Sequence, residues 1–410
     1  MILPAQNLLD RFARTTEEVF SLQELQQLLA SGRQLRIKYG VDLTAPHLHI
    51  GHAVNLWMMR QLQDLGHKVL FLMGDVTTSI GDPTGRNTLR PLVPQVEIET
   101  NAQAFMTQVC MVLRCDDPDL YEVRRNSEWY EHMSAAELLR LLSMVTHARL
   151  ASRDMFQERM QQGRDIHMHE MIYPVLQGYD SFALQSDLTI IGSDQLFNEM
   201  MGRFYQERLG QPPQVIITTK ITPGIDGKAK QGKSLGNYIG LSHSPRDKFG
   251  RVMTLPDHLI SGYLEVYTDV PLEQVAEIAK QVAGEPMKCK LFLAHEIVRR
   301  YHGAEVADRE QEWFLQTFSA RKTPVDIPEI LVEPGEQPAF DLVKRFFGSQ
   351  KSHRELRRLF EQGAVSLNEQ AIRRAEQVVQ VHDGDVFRVG KRTWFRLRIN
   401  GERVADRKRE

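Results

Sequence analysis

The stretch TAPHLHIGH, residues 44–52, decides how the rest of this chain is interpreted. Residues 35–42, just before it, alternate apolar and polar side chains as a β-strand does, and the residues just after it have apolar side chains at the period of a helix. Gly51 leaves room for a flat group at the start of that helix, between His49 and His52. Because a helix N-terminus offers unpaired N–H groups and partial positive charge, we predict that this turn binds the phosphates of a nucleotide.

The same histidines admit two other interpretations. Together with His47 they have a spacing that zinc could use, although the stretch contains no cysteine or carboxylate to complete such a site. They could also be structural histidines whose ring nitrogens are satisfied within the fold. Other segments of the chain are needed to decide among a phosphate site, a zinc site and structural histidines.

The segments around this stretch alternate between strand and helix. Residues 69–74 form a continuous apolar run, which is typical of a strand buried in a parallel sheet, and residues 188–191 and 214–219 have the same character. This order predicts an α/β fold with a Rossmann-like parallel sheet. Residues 8–30, in contrast, are predicted to form two short amphipathic helices.

Polar residues follow the predicted strands at 69–74 and 188–191, at the edge where ligands bind in open α/β sheets. Residues 74–86 are predicted to be a long loop in which Asp82 binds an ammonium group, unless Asp82 caps its own turn. On a helix, Tyr173, Gln177 and Asp180 would form one polar stripe that faces either this crevice or solvent.

A second candidate for phosphate binding follows the strand at residues 214–219. Residues 230–237, KQGKSLGN, place Lys230 and Lys233 in a loop that contains glycine. Lysine acts as a mobile point charge, so this pair can reach a triphosphate. A solvated loop without a ligand is the alternative.

The overall composition bounds the class of protein. With 42% hydrophobic and 25% charged residues, the chain is expected to be a globular protein of two or three domains. Cys110, Cys115 and Cys289 show no spacing typical of a metal site or of a disulfide framework, so we predict that they are unpaired and that the compartment is reducing. The sequence has no signal-peptide pattern and no run of eighteen apolar residues, which predicts a cytoplasmic protein with no membrane association.

The carboxyl-terminal part of the chain is basic. From Pro338 onward, 17 Lys and Arg stand against 10 Asp and Glu, although the whole chain has a net charge of −2. This excess suits a nucleic acid, and a solvated basic face is the alternative. The predicted elements are a proline-containing linker over residues 323–338, helices over 340–347 and 351–362, and a hairpin that joins 378–381 to 386–389 through Asp383 and Gly384.

Several of these segments resemble signatures of one enzyme class. HLHIGH is similar to the HIGH motif of the class I aminoacyl-tRNA synthetases, and KQGKS, residues 230–234, resembles their KMSKS loop. From about Gln34 to its end, the chain resembles the bacterial tyrosyl-tRNA synthetases. The segments that carry this narrower resemblance are GDPTGR at 81–86, YxxxQxxD at 173–180 and GSDQ at 192–195.

The resemblance implies which residues bind ATP. His49 and His52 would hold the phosphates and stabilise the transition state, and Thr44 would assist His49 at the γ-phosphate. Lys230 and Lys233 would approach the same phosphates from the opposite side. The other residues implied for ATP are Gly51, Ser234, Arg86 on the mobile phosphate side, and Gly192 and Asp194 at the ribose.

The resemblance also implies a tyrosine site. Asp82, Tyr173 and Gln177 would bind the α-ammonium group of tyrosine, and Asp180 would accept a hydrogen bond from its phenol. Gln195 would lie nearby, and Tyr39 is a further candidate contact.

The chain departs from the family pattern in three places, one of which is the lack of the usual proline after Asp42. Many members have a tyrosine, which binds the substrate hydroxyl, at the position of Lys38, and the adjacent Tyr39 would face the other side of the strand. In the lysine loop, Gln231 and Gly232 replace the usual methionine and serine. We therefore expect tyrosine as the substrate, with altered contacts to its hydroxyl.

Domains and partners are implied as well. The expected partners are L-tyrosine, ATP with Mg²⁺, tRNA(Tyr) and a second copy of the chain in a homodimer, and no metal held by protein ligands is expected. The expected domains are an N-terminal helical segment (1–33), a Rossmann-like catalytic domain (34–241), an α-helical anticodon-side domain (242–322), a linker (323–338), a small α+β, S-four-like RNA-binding domain (339–401) and a tail (402–410).

Four alternatives are kept. Within the class, the chain could be the related tryptophanyl enzyme, against which Asp180 argues, or a paralogue that acts on a modified tyrosine. From other classes, it could be an RNA-binding regulator with a non-catalytic synthetase-like core, or a nucleotidyl transferase that uses no tRNA.

Overall fold

The computed structural model describes residues 5–83, 93–232, 235–319, 327–348, 350–368, 370–390 and 393–399. Three predicted site residues, Arg86, Lys233 and Ser234, lie outside these ranges, as does the predicted tail. The chain divides into two compact units, Met1–Glu310 and Gln311–Glu410.

Strands and helices alternate in the first unit. Its strands are β1 (Thr16–Phe20), β2 (Arg36–Asp42), β3 (Lys68–Gly74), β4 (Tyr121–Arg125), β5 (Leu188–Gly192) and β6 (Val215–Thr219). The helices are α1 (Ala5–Ala13), α2 (Leu22–Ala30), α3 (Ile50–Asp64), α4 (Asp75–Ile80), α5 (Gln95–Val109), α6 (Ser127–Tyr130), α7 (Ala135–Ser143), α8 (His147–Ala151), α9 (Asp154–Gln161), α10 (Met168–Ala183), α11 (Leu196–Arg208), α12 (Pro245–Met253), α13 (Ile260–Tyr267), α14 (Leu272–Gln281), α15 (Pro286–His302) and α16 (Ala304–Phe314), with 3-10 helices at Ser193–Gln195 and Asp257–Leu259.

The first six strands form one sheet in the order β1-β6-β5-β2-β3-β4. All neighbours are parallel except β1, which runs antiparallel to β6. The chain moves from β2 outward through β3 to β4 and then returns to the other side of β2 with β5. Ligands bind at such a switch point, outside the carboxyl ends of the strands. The predicted α/β fold with a parallel sheet is therefore confirmed.

The two short helices predicted over residues 8–30 are confirmed as α1 and α2, but a strand that was not predicted lies between them. Residues 16–20 form the edge strand β1, in which Val19 pairs with Ile217 and Phe20 pairs with Ile216. Glu17 and the residue after it are exposed, so this strand lacks the apolar run of the buried strands. Charged side chains are common on edge strands, where they prevent pairing with another chain.

Two local predictions near the sheet also fail. Residues 75–80, predicted to be part of a long loop, form the short helix α4.

Cys110 and Cys115, predicted to be unpaired, form a disulfide, because the turn after α5 brings their Cα atoms to 5.5 Å. Cys289 is free and buried. The cysteines therefore give no argument for a reducing compartment.

Helices α10 and α11, which lie beside the site described below, pack closely through glycine. A Cβ added to Gly178 would lie 2.9 Å from the backbone carbonyl carbon and oxygen of Met201. A Cβ added to Gly202 would lie 2.6 Å from Ser181 Oγ and 2.7 Å from Gln214 Nε2. Around this contact is an apolar cluster that includes Val175 and Tyr205.

The second unit combines two small sheets with two helices. Its elements are β7 (Glu329–Val332), β8 (Gly335–Pro338), α17 (Ala339–Phe347), α18 (His353–Glu361), β9 (Val365–Leu367), β10 (Gln370–Ile372), β11 (Val378–Val381), β12 (Val386–Val389) and β13 (Thr393–Ile399), after a π-helical turn at Leu315–Ser319. One sheet has the order β10-β9-β12-β13-β7 and the other pairs β11 with β8. Phe360, Phe387 and Phe395 are fully buried between them and the helices.

The predicted hairpin in this unit is wrong. β11 and β12 are adjacent in sequence, but β11 pairs with β8 and β12 pairs with β9 and β13. Asp385 caps the turn between them by accepting from the backbone N–H of His382 at 2.9 Å and from Asn368 Nδ2 at 2.7 Å. The described part of the predicted linker also differs, because β7 and β8 lie within it and belong to the two sheets.

No helix in the described ranges is long and apolar enough to cross a bilayer.

The close approach of α10 and α11 predicts the effect of adding one methyl group. Gly178→Ala should lower the free energy of unfolding by about 1–3 kcal/mol, because the new Cβ meets the backbone of Met201. Gly262→Ala is the matched control, since Gly262 lies in α13 with no atom within 4 Å of its added Cβ. The control should raise stability by about 0.4–1 kcal/mol. Urea unfolding measures both, and equal effects would contradict the packing argument.

Candidate active site

The predicted site residues that the structure describes all line one cavity in the first unit. Its volume is about 410 Å³, and it lies at the carboxyl ends of β2 and β5. The predicted residues in its wall are Tyr39, Thr44, His49, Gly51, His52, Asp82, Tyr173, Gln177, Asp180, Gly192, Asp194, Gln195 and Lys230.

The first signature forms the N-terminus of α3. His49 is the N-cap residue, and its backbone N–H donates to His52 Nδ1 at 3.3 Å. The two imidazole rings lie with their centroids 3.8 Å apart. Gly51 permits this arrangement, because a Cβ there would lie 2.9 Å from His49 Nδ1. Two imidazoles and the end of a helix therefore face the same part of the cavity.

The second signature is joined to the first by backbone hydrogen bonds. After the lysine loop, the chain returns to α3, where Ile50 N–H donates to Ile239 C=O at 2.9 Å and Leu241 N–H donates to Leu48 C=O at 2.9 Å. Lys230 lies on the wall of the same cavity as the histidines and pairs with Asp194, Nζ to Oδ2, at 2.9 Å.

Gln231 anchors the lysine loop from within. Its Nε2 donates to the Tyr267 hydroxyl at 2.8 Å, and its Oε1 accepts from Ile239 N–H at 3.3 Å. The next residue, Gly232, donates its backbone N–H to Asn237 Oδ1 at 2.8 Å. Gln231 departs from the family pattern, and no motif pointed to its anchoring role.

Asp180 lies at the buried end of the cavity and is 3% exposed. Trp129 Nε1 donates to its Oδ1 at 3.0 Å, and Asn126 Nδ2 lies 3.5 Å from its Oδ2. Burial raises the pKa of Asp180 to about 7, against the opposing effects of the Lys38 ammonium and of the hydrogen bonds that it receives. Trp129 and Asn126 were missed in the sequence, although they follow β4 at the same sheet edge as the predicted residues.

Tyr173 is held by a carboxylate at the end of β2. Its hydroxyl donates to Asp42 Oδ2 at 3.0 Å, and Thr77 Oγ1 donates to Asp42 Oδ1 at 2.9 Å. Burial raises the pKa of Tyr173 well above its usual value, and the nearby carboxylates of Asp42 and Asp82 raise it further. The phenol therefore stays protonated and acts as a donor.

Amide side chains connect Gln177 to Asp82. Asn198 Nδ2 donates to Gln177 Oε1 at 2.9 Å and to Gln195 Oε1 at 3.0 Å. Gln195 Nε2 in turn donates to Asp82 Oδ2 at 2.8 Å, and Arg153 Nη2 lies 3.9 Å from Asp82 Oδ1. One network thus links, through Asn198, two of the residues predicted to bind the ammonium group, Gln177 and Asp82, with Gln195, which was predicted to lie nearby.

Lys38 and Tyr39 both reach the cavity wall but have different partners. Tyr39 is buried, with its ring centroid 6.0 Å from that of Phe71, and burial raises its pKa. Lys38 is 1% exposed, and its Nζ lies 2.7 Å from Glu199 Oε2 and donates to Ser181 Oγ at 2.7 Å. The Glu199 partner was not predicted.

The sequence of this chain is similar to those of known proteins. Residues 30–319 match the family model described as tRNA synthetases class I (W and Y). The tyrosine–tRNA ligase of Moorella thermoacetica is 41% identical to this chain and covers 91% of it and 90% of its own length. That of Thermotoga maritima is 39% identical and covers 94% of this chain and 95% of its own length.

Solved structures support the same fold. A C-terminally truncated mitochondrial tyrosyl-tRNA synthetase of Aspergillus nidulans matches with a TM-score of 0.62 and 22% identity. The match covers 77% of this chain and 94% of that chain.

The pKa of Asp180 predicts a specific dependence of stability on pH. Folding raises this pKa from 3.8 to about 7, so the stability that the proton on Asp180 provides is full below about pH 4 and is lost as the pH rises through 7. Between these limits, the free energy of unfolding should fall by about 1.4 kcal/mol per pH unit relative to that of Asp180→Asn. Urea unfolding at pH 5, 6, 7 and 8 measures this difference. Parallel curves for the two proteins would show that Asp180 does not titrate in this range.

Proposed function

The chain belongs to the class I tRNA synthetases of the tryptophan and tyrosine group, and we propose that it is the enzyme that attaches L-tyrosine to tRNA(Tyr). In the first step, a carboxylate oxygen of tyrosine attacks the α-phosphorus of ATP, which gives tyrosyl-adenylate and expels pyrophosphate. In the second step, a ribose hydroxyl at the 3′ end of the tRNA attacks the carbonyl carbon, and AMP leaves. Neither step needs a covalent bond to the enzyme.

One observation carries this proposal. The histidines of the first signature, Lys230 of the second, and the Tyr173, Gln177 and Asp180 stripe line a single cavity, in which we propose that the phosphates of ATP and the amino acid bind side by side. Such an arrangement holds the carboxylate and the α-phosphate near each other and so replaces an encounter in solution by a step within one complex.

We assign the phosphates to the two signatures. His49 and His52 would donate to the phosphates as the α-phosphorus becomes five-coordinate, with Thr44 beside His49. Lys230 and Lys233 would neutralise the departing pyrophosphate. These contacts accelerate the reaction to the extent that they are stronger in the transition state than with bound ATP.

The other assignments for ATP rest on the same cavity. Gly51 would leave room for the nucleotide, and Gly192 and Asp194 would hold the ribose, which requires the Lys230–Asp194 ion pair to open. Ser234 and Arg86 would complete the phosphate site. We propose that Mg²⁺ enters with ATP and is held by its phosphates.

For the amino acid, Asp82, Tyr173 and Gln177 would bind the ammonium group, with Gln195 supporting Asp82 and Tyr39 in the adjoining wall. The phenol of tyrosine would donate to Asp180. A phenylalanine would leave this buried group without its partner, which is costly, and tyrosyl-tRNA synthetases are the standard illustration of this effect.

The second unit supports RNA binding. Arg354, Arg357 and Arg358 lie exposed on α18, within the part of the chain that has the excess of positive charge. We propose that residues 339–401 form an S-four-like RNA-binding domain that contacts the tRNA backbone, and that residues 242–322 form the anticodon-side domain. We further propose that the enzyme acts as a homodimer in the cytoplasm, where its tRNA substrate is used.

The direct test is amino-acid-dependent exchange of pyrophosphate into ATP. Exchange should occur with L-tyrosine, and charging of tRNA(Tyr) should follow when the tRNA is added. Exchange with tryptophan or a substituted tyrosine in place of tyrosine would identify a different synthetase. No exchange with any amino acid would favour a regulator, and exchange without charging would favour a nucleotidyl transferase.

The two signatures predict variants that impair chemistry more than binding. His49→Ala and Lys230→Ala should each lower the rate of exchange by about 10²- to 10³-fold, because each removes a transition-state contact. The KM for tyrosine should stay within about threefold, since neither side chain is assigned to that site. The same changes are expected for Lys233→Ala.

Lys228→Ala is the matched control in the same loop. Lys228 is exposed and is not among the residues of the cavity wall. Its substitution should leave both constants unchanged. A loss of rate in Lys228→Ala with normal Lys230→Ala would place the second signature in a different register.

A further inference from the structure

Glu199 is a buried carboxylate on α11 whose two oxygens are both fully engaged. It is 2% exposed and lines the cavity. Its Oε2 lies 2.7 Å from Lys38 Nζ and accepts from Gln214 Nε2 at 2.7 Å. Its Oε1 accepts from Gln177 Nε2 at 2.8 Å. Glu199 therefore contacts Gln177, one of the residues assigned to the ammonium group of the substrate.

The contact with Glu199 decides how the amide of Gln177 is oriented. A carboxylate only accepts hydrogen bonds, so the amide nitrogen of Gln177 must face Glu199 and its oxygen must face away. That oxygen accepts from Asn198 Nδ2 at 2.9 Å and has a second lone pair for another donor. Gln177 thus presents an acceptor to the substrate, which is what an ammonium group requires.

The ion pair with Lys38 adds little to stability by itself. Replacing a buried ion pair by neutral residues of similar size is often neutral or stabilising, because two charges must be desolvated to form it. The Lys38 ammonium instead supplies the positive charge that a carboxylate beside the substrate site needs in order to stay buried. The pair therefore allows Glu199 to orient Gln177.

We propose that Glu199 is a positioning residue that acts through Gln177 on the ammonium end of the substrate amino acid. This inference rests on the proposed function and names a determinant of substrate binding within the same site. Loss of Glu199 should weaken ligands that carry the ammonium group and should not affect ligands that lack it.

The test compares two competitive inhibitors of tyrosine-dependent pyrophosphate exchange. Tyramine keeps the phenol and the ammonium group, whereas 3-(4-hydroxyphenyl)propionate keeps the phenol and lacks the ammonium group. In Glu199→Gln, the amide at position 199 can donate as well as accept, so position 199 no longer fixes the orientation of the Gln177 amide. The inhibition constant of tyramine should rise about tenfold, and that of the propionate should stay within twofold.

Two further variants separate positioning from folding. Glu199→Gln leaves the Lys38 charge buried without its carboxylate, so the double variant Lys38→Met/Glu199→Gln, which has no such charge, is measured alongside it. Any effect of Lys38 on the phenol end changes both inhibitors equally, so the ratio of the two constants should shift about tenfold in both proteins. Glu207→Gln, the same substitution at an exposed position of α11, should leave the ratio unchanged.

An unchanged ratio in Glu199→Gln and in the double variant would overturn the inference, because a purely structural role would weaken both inhibitors alike. If the parent protein shows tyrosine-dependent exchange while the ratio is unchanged, only the inference fails. If the parent protein shows no tyrosine-dependent exchange, the proposed function itself fails.

Discussion

The pairing of residues 48–50 with residues 239–241 is the interaction on which the geometry of the site depends. Two backbone hydrogen bonds, each 2.9 Å long, join segments that are about 190 residues apart in the chain. Gln108 fixes the first segment from its other side by accepting from Leu48 N–H at 2.8 Å. Because the lysine loop starts after β6 and ends at this pairing, both of its ends are held at the cavity. Lys230 is thereby kept in the wall of the cavity that the imidazoles of α3 also line.

The same cavity holds many polar groups that are removed from water, and they stabilise one another. Asp180 receives the indole N–H of Trp129, Tyr173 donates to Asp42, and Glu199 is satisfied by Lys38 and two amides. In such surroundings, hydrogen bonds are stronger than in water and unpaired groups are costly. A site that is built this way keeps its donors and acceptors oriented before a substrate binds, which is the condition for electrostatic catalysis.

Structural predictions succeeded where the element is specified by neighbouring residues, and failed where it depends on residues elsewhere in the sheet. The buried strands β3, β5 and β6 were predicted because burial on both faces requires continuous apolar residues, and β2 was predicted from its alternation of apolar and polar side chains. β1 was missed because its glutamates are exposed at the sheet edge, where polar residues are tolerated. The hairpin between β11 and β12 was wrong because the turn residues specify a reversal of the chain, whereas the partners of each strand lie elsewhere in the sequence.

The sequence by itself determined the α/β class, the family and many, though not all, of the side chains that line the cavity, since these follow from hydrophobic periodicity and from motifs a few residues long. Only the tertiary structure decided the partners of those side chains. Trp129 beside Asp180, Glu199 beside Lys38 and Gln231 beside Tyr267 are contacts between residues distant in the chain. No short pattern encodes them, because a buried donor or acceptor is satisfied by whichever group the packing of helices and strands brings within reach.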